Sequence, residues 1–285
     1  MKTLKTVLND HSLDEFFDKF FNRLPLATSA SAHSYKDHLN WEVIKTIINE
    51  KKSILRIVKN GKMIKDYADI NFQEAEDYYR NGHTLVIRHS EKSHPKLKAL
   101  AEEFSTFFHN PVDIQVFCSP RQTMGFGWHY DVEDVFIFQT QGEKHFTLRQ
   151  NTVHPSPTLI SLPKDLGYEK ETSDLFVNVT LKAGDWLYIP SGWWHQAQTR
   201  DEESMHISLG VLSTSAVNIL SHLQKELALN PSWRTRLPLH KEFASPEDEI
   251  SFYQEGMIGL GKHITEKMAD PKFIKSLLNS LRQGL

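Results

Sequence analysis

The stretch Trp128-His129-Tyr130-Asp131-Val132-Glu133-Asp134-Val135-Phe136 decides how this chain is read. On a β-strand, residues i and i+2 point to the same face. An imidazole and a carboxylate, His129 and Asp131, therefore project side by side as a two-toothed metal clamp. The stretch continues through Gln141-Gly142-Glu143, which reads as a turn, to Lys144. A later segment, Gly184-Asp185-Trp186-Leu187-Tyr188-Ile189-Pro190-Ser191-Gly192-Trp193-Trp194-His195, offers a third tooth in His195. Gly184-Asp185 makes a tight turn, Leu187 and Ile189 read as core, and Pro190-Ser191-Gly192 turns the chain so that His195 faces back. Two histidines and one carboxylate on one face, with the remaining positions open, is the ligand geometry of non-haem Fe(II) sites. Each half alone is weak, because His-x-Asp pairs and lone histidines after turns are usually structural; the combination carries the information.

Around this stretch, short β-branched and aromatic runs alternate with Gly/Pro turns at 112–117, 134–140, 144–149, 176–181, 185–189 and 206–211. Such spacing predicts an α+β protein with a mainly β core, a double-stranded β-helix of the jelly-roll or cupin type. Residues 152–172 carry three prolines and read as a loop over the barrel mouth. Upstream, Ser12-Leu13-Asp14-Glu15 is a capping-box opening for a helix with Phe16, Phe17, Phe20 and Phe21, stopped by Pro25. Residues 26–40 read as a loop, 41–49 and 72–81 as helices, 54–58 and 84–87 as strands, and 95–109 as a longer helix. Asn60-Gly61 is a turn signal before a return strand at Met63-Ile64. Helices return at 216–229, 247–268 and 271–281. The expected division is 1–212, the barrel with its N-terminal elaboration, and 213–285, a helical region whose apolar faces cover the barrel or a second subunit.

The 285 residues are 39% hydrophobic and 24% charged, with a formal net charge of −3. A chain near 300 residues buries roughly three-quarters of its unfolded surface, so the core needs no staples. The slightly acidic balance argues against nucleic acid as a partner. A single cysteine, Cys118, excludes an intrachain disulfide and fits a reducing, cytoplasmic compartment. The N-terminal stretch MKTLKTVLNDHSLDEFF has no uninterrupted apolar run, so no signal peptide is expected, and no membrane span or internal repeat is visible.

Lys144 is either a solvated strand end or, pointing inward, a buried cation that needs an anion. A dicarboxylate chelating the metal at one end would bring that anion at the other, and the Ser208 hydroxyl would reach the same carboxylate. Taken without the rest, Ser208 reads as a strand serine bonded to backbone. His206, close to the barrel strands, is a potential fourth metal ligand.

WHYDVEDVFIFQTQGEKHFTLR and GDWLYIPSGWWHQA closely resemble the JmjC-type cupin-fold 2-oxoglutarate oxygenases, most nearly the ribosomal oxygenase group. Asn22-Arg23-Leu24-Pro25-Leu26, Gly82-His83-Thr84-Leu85 and Trp233-Arg234-Thr235-Arg236-Leu237-Pro238 extend the resemblance over most of the chain. It implies Fe(II) on His129, Asp131 and His195, with 2-oxoglutarate and O2 as cosubstrates. It also implies 2-oxoglutarate contacts from Lys144, Ser208 and Gln115. Where the family often has Asn-x-Tyr before a Thr/Ser-Pro pair, this chain has Gln115-Val116-Phe117-Cys118-Ser119-Pro120, and Phe117 has no phenol hydroxyl. Phe117, Met124, Phe126, Trp128, Tyr130 and Trp194, with Trp193, form the expected substrate wall, although aromatics beside a site are more often packing. The group also carries a dimerisation region and a winged helix; beyond Ser213 there is room for the former, so a homodimer is expected.

Three functions follow as alternatives. The first is hydroxylation of a protein or peptide side chain. The second is the same chemistry on a small molecule, such as a free amino acid or a natural-product intermediate. The third is a metal-binding cupin without turnover, for which His206 would close the metal's open positions.

Overall fold

The computed structural model describes residues 1–152, 174–236 and 243–283, and among them the β-branched and aromatic runs form ten strands. They are β1 (Leu26–Thr28), β2 (Ile54–Lys59), β3 (Lys62–Tyr67), β4 (Thr84–Arg88), β5 (Val112–Ser119), β6 (Asp134–Arg149), β7 (Val177–Lys182), β8 (Trp186–Ile189), β9 (Trp194–Gln198) and β10 (Ser204–Val211). The main sheet runs β1-β8-β6-β10-β5-β4-β2-β3, and β7 and β9 both pair with β6. The expected loop 152–172 falls, except for Thr152, outside the described residues.

β6 is the hinge of the architecture. Its first half pairs with β8 and β10, as at Val135↔Ile189 and Val135↔Gly210. Its second half pairs with β7 and β9, as at Lys144↔Leu181 and Leu148↔His195. One strand thus belongs to two facing sheets, and this closes the double-stranded β-helix that the strand spacing predicts. Gln141-Gly142-Glu143 is a bend within this strand and not a turn between two strands. Gly142 takes the left-handed backbone (φ +60) that resembles a turn in sequence. Its neighbour β10 shifts register between Met205 and His206, and this bulge absorbs the bend. A Cβ on Gly142 would stand 1.8 Å from the Glu203 carbonyl oxygen, so only glycine fits. Lys144 consequently lies in mid-strand and not at a strand start.

The period of two sorts the core. Even residues Phe136 and Phe138 of β6 join Phe16, Phe104, Trp186 and Tyr188 in a cluster that includes the buried face of the helix Pro95–Phe108. Odd residues Val135 and Ile137 join Phe146, Leu148, Leu181, Leu187, Ile189 and Trp193 in a second cluster. Burial of each such side chain is worth about 1.5–3 kcal/mol.

Two other expectations change. The phenylalanine-rich helix is an α-turn, Leu13–Glu15, continued as a π-helix, Phe16–Phe20. The extra residue per turn lets neighbouring rings meet several partners: Phe16 packs 5.1 Å from Tyr188, and Phe21 stacks 5.3 Å from Phe108. The 26–40 loop contains β1 and a 3-10 helix, His33–His38, because β1 pairs with β8 from Leu26↔Tyr188 to Thr28↔Trp186. The Asn60-Gly61 turn is present with both residues at positive φ, 51 and 80, as a tight hairpin requires.

Contacts divide the chain into residues 1–213 and 214–285. The second unit consists of helices Ala216–Leu227, Pro231–Arg234, Pro246–Ala269 and Pro271–Gln283. Leu223, Leu227, Phe273 and Leu277 form its core, and Lys267 pairs with Glu226 at 3.1 Å. No helix among the described residues is long and apolar enough to cross a membrane.

Candidate functional site

The backbone brings the two histidines together directly. His129 and His195 form an antiparallel bridge: His195 N–H donates to the His129 carbonyl at 2.7 Å, and His129 N–H donates back at 3.1 Å. Gly192 N–H donates to the Asp131 carbonyl at 2.9 Å, fastening the turn before β9 to the clamp strand. Gly192 sits at φ +81, which explains the glycine in the Pro190-Ser191-Gly192 turn.

His129, Asp131 and His195 have potential ligand atoms all within 4.8 Å of one another. The Nδ1–H of His129 donates to the Gly127 carbonyl at 2.7 Å, and that of His195 to the Trp193 carbonyl at 3.0 Å. Both bonds occupy Nδ1 and orient the rings so that Nε2 is the nitrogen turned to a metal. Asp131 Oδ2 lies 3.5 Å from His195 Nε2, and its side chain keeps 38% of its surface because it faces the open pocket. Burial depresses His129 to about 4, with His195 adding to the effect. Burial alone would raise Asp131, but the His195 hydrogen bond and both imidazoles outweigh it and hold the carboxyl at about 2. His129 is thus neutral and Asp131 anionic. Burial alone would lower His195, but the Asp131 hydrogen bond and charge outweigh it and raise His195 above its ordinary value. A divalent metal would displace the proton on His195 Nε2, and two imidazole nitrogens with one carboxylate oxygen suit a first-row ion.

The same pocket is lined by Lys144, Ser208, His206, Phe117, Phe126 and Phe146. Lys144 is 1% exposed. Its Nζ donates to Ser119 Oγ at 2.9 Å and lies 5.3 Å from the Phe117 ring centre. Ser119 Oγ also accepts from Thr84 Oγ1 at 3.1 Å. Burial depresses the Lys144 ammonium to about 7. Among the described residues this lysine has a hydroxyl partner but no carboxylate partner, which fits a ligand that brings the anion with it. Gly125 leaves room beside it: a Cβ there would lie 3.2 Å from the Ala197 carbonyl oxygen and 3.9 Å from Lys144 Nζ.

Of the expected aromatic wall, Phe117 and Phe126 line the pocket. The others sit elsewhere among the described contacts. Met124 is exposed and bridges to Gln198. Trp128 lies under the Arg149 guanidinium at 4.0 Å. Tyr130 packs edge-on against Trp194 at 5.0 Å, and Trp194 Nε1–H donates to Thr152 Oγ1 at 2.8 Å. Trp193 belongs to the core and donates to the Arg23 carbonyl. Gln115 shares the β5 face with Phe117 and pairs in register with Ser208, but does not line the pocket. His206 lines the pocket and is not part of the metal-ligand cluster.

Ser119 and Phe146 were not legible as site residues. Ser119 had one signal, its place in the Ser119-Pro120 pair. Glu133, outside the pocket lining, is pushed up to about 7 by burial and then by the Asp131 and Asp113 carboxylates. A second group, His89, Glu91 and Asp113, has ligand-type atoms equally close, but it is engaged internally. His89 holds Asp113 Oδ1 at 2.7 Å, and Ile114 N–H donates to Glu91 at 3.0 Å.

Comparison with known proteins matches residues 87–219 to the JmjC domain. The lysine-specific demethylase and histidyl-hydroxylase NO66 of Drosophila mojavensis is 33% identical over 170 residues, 57% of this chain and 19% of that protein. Ribosomal oxygenase 2 of Bos taurus is 27% identical over 217 residues, 71% of this chain and 46% of that protein. The chain thus spans about a fifth of the NO66 relative's length. The Escherichia coli ribosomal oxygenase YcfD, solved with cobalt and 2-oxoglutarate, superposes with a TM-score of 0.65 at 19% identity. That superposition covers 95% of this chain and 71% of the other, and it shows a shared fold.

Proposed function

We propose that this JmjC-domain chain, a relative of the ribosomal oxygenases, is an Fe(II)- and 2-oxoglutarate-dependent oxygenase that hydroxylates a side chain of a protein or peptide. The observation that carries this reading is the buried, carboxylate-free Lys144 in the pocket of the His129–Asp131–His195 cluster. A dicarboxylate whose keto-acid end reaches the metal satisfies both demands at once. With the metal bound, O2 would be the oxidant: one oxygen atom goes into succinate as 2-oxoglutarate is oxidised with loss of CO2, and the other becomes the hydroxyl placed on the substrate C–H. The chain supplies the rest. His129 and His195 present Nε2, Asp131 presents a carboxylate oxygen, and Lys144 and Ser208 orient the cosubstrate. Phe117, Phe126 and Phe146 keep the pocket apolar and limit water around the reacting groups.

A protein substrate is supported by the names of the relatives, a histidyl-hydroxylase and a ribosomal oxygenase. The small-molecule alternative leaned in part on the loop 152–172, which lies, except for Thr152, outside the described residues. The non-catalytic alternative offered His206 as a fourth ligand, and His206 stands outside the cluster. The experiment is succinate formation from 2-oxoglutarate with Fe(II) and ascorbate, in the presence of ribosomal-protein peptides or amino-acid pools. A gain of one oxygen on a peptide, read by mass spectrometry, supports the reading. A gain confined to a free amino acid selects the second alternative.

We place the activity in the cytoplasm, on the evidence of a single, buried, free cysteine. A homodimer is supported by Ile250, Met257 and Ile258, exposed at helical spacing along Pro246–Ala269. Light scattering reads that mass; a monomer at micromolar concentration refutes it.

A further inference from the structure

His206 is a residue of this pocket that neither the metal site nor the Lys144 contact uses. It sits on β10 two residues before Ser208, so both side chains face the same way. Its ring lies flat on Phe117, with centroids 4.6 Å apart and planes 10° apart, and meets Phe146 edge-on at 5.9 Å. These two rings fix its plane. The side chain is 3% exposed, and Nδ1 is buried with no hydrogen-bond partner among the described residues. Buried polar nitrogens are nearly always bonded, so an imidazole held this firmly without a partner awaits one. Burial, and after it the nearby Lys144 ammonium, hold His206 well below its ordinary value. The ring is therefore neutral, with one N–H to donate and one nitrogen to accept.

We propose that His206 donates its neutral N–H to the distal carboxylate of the dicarboxylate cosubstrate, completing with Lys144 and Ser208 a three-donor cradle. The inference rests on the oxygenase reading above and deepens it. A second cation at this position would repel Lys144, whereas a neutral donor adds a directed bond without further charge. Stacking on Phe117 supplies orientation where that ring offers no hydroxyl. His206 is in this sense a specificity residue: it favours keto acids with a second carboxylate over chelators that lack one.

The test is calorimetric titration of Mn(II)-loaded protein with 2-oxoglutarate and, separately, with oxalate, which chelates a metal but has no distal carboxylate. His206→Phe keeps the ring stack and removes the donor; His206→Gln keeps a donor and serves where His206→Phe fails to fold. The expected result is a 2-oxoglutarate Kd raised about ten- to a hundredfold in His206→Phe. Oxalate and Mn(II) affinities stay within about twofold of wild type, and His206→Gln lies between. Unchanged 2-oxoglutarate binding in His206→Phe overturns the proposal. So does an equal loss of 2-oxoglutarate and oxalate, which marks a packing role. Wild-type protein that binds Mn(II) and oxalate but no 2-oxoglutarate overturns the oxygenase reading itself, and this proposal with it.

Discussion

Replacing Lys144 by methionine removes a buried cation that has no carboxylate partner among the described residues. Its proton affinity falls from the ordinary 10.5 to about 7, through burial. Each tenfold change in proton affinity is worth about 1.4 kcal/mol, which places a ceiling of about 4 kcal/mol on the strain of holding this lysine at neutral pH. The bond to Ser119 and the Phe117 ring offset roughly 1–2 kcal/mol of that. The ligand-free Lys144→Met protein should therefore be more stable than wild type by about 1–3 kcal/mol, at about 2–4 °C of Tm per kcal/mol. The unfolded chain holds this proton more tightly than the folded one, so wild-type stability rises with pH between about 7 and 10.5. The variant's advantage is full below about pH 7 and fades towards pH 10.5. With 2-oxoglutarate the difference is cancelled or reversed. A ligand at a hundred times its Kd adds about 2.7 kcal/mol to the protein that binds it, and the variant gains nothing. Urea denaturation at pH 8, with and without 2-oxoglutarate, reads both effects. A variant less stable than wild type without ligand, or one still stabilised by 2-oxoglutarate, would refute the reasoning.

Other consequences are equally direct. Because free Lys144 titrates near 7 and a bound carboxylate restores its charge, 2-oxoglutarate affinity should be flat below pH 7. Above it, affinity should weaken about tenfold per pH unit with uptake of a proton; calorimetry in buffers of different ionisation enthalpy detects that uptake, and pH-independent binding contradicts it. Asp134 is fully buried and accepts from Tyr188 Oη at 2.5 Å, Ser213 Oγ at 3.1 Å and Ser191 N–H at 3.4 Å. It ties β6 to the turn that delivers His195, so Asp134→Asn should cost about 1–3 kcal/mol in urea denaturation; a loss under about 0.5 kcal/mol would argue against this tie. Gly142→Ala forces its Cβ against the Glu203 carbonyl and should cost more than about 2 kcal/mol; near-wild-type stability would show that β6 and β10 can separate at the bend.

The barrel was legible because short β-branched and aromatic runs are spaced by Gly/Pro turns; within β6 the period of two then sends Val135 and Ile137 to one buried cluster and Phe136 and Phe138 to the other. The metal cluster was legible because His129 and Asp131 are local neighbours and His195 follows a glycine-proline turn. What escaped depended on contacts distant in sequence. The bend at Gly142 resembles a turn until β10 is seen to pair through it. β9 has a polar, low-contrast sequence and exists because β6 provides partners from His145↔Gln198 to Arg149↔Trp194. Ser119 became a site residue only when β5 brought it to Lys144. The aromatic wall was over-read for the opposite reason: Trp128, Trp193 and Trp194 are large enough to find packing partners of their own.

The central claim is that one pocket binds a divalent metal and a dicarboxylate keto acid together. The most direct measurement is anaerobic titration of the Fe(II)-loaded protein with 2-oxoglutarate, followed by visible absorption. The account predicts one Fe(II) per chain and a metal-to-ligand charge-transfer band that saturates at one equivalent of 2-oxoglutarate. The band should be absent in His129→Ala and much weakened at equal concentration in Lys144→Met. Fe(II) bound at one equivalent with no such band at any 2-oxoglutarate concentration would contradict it.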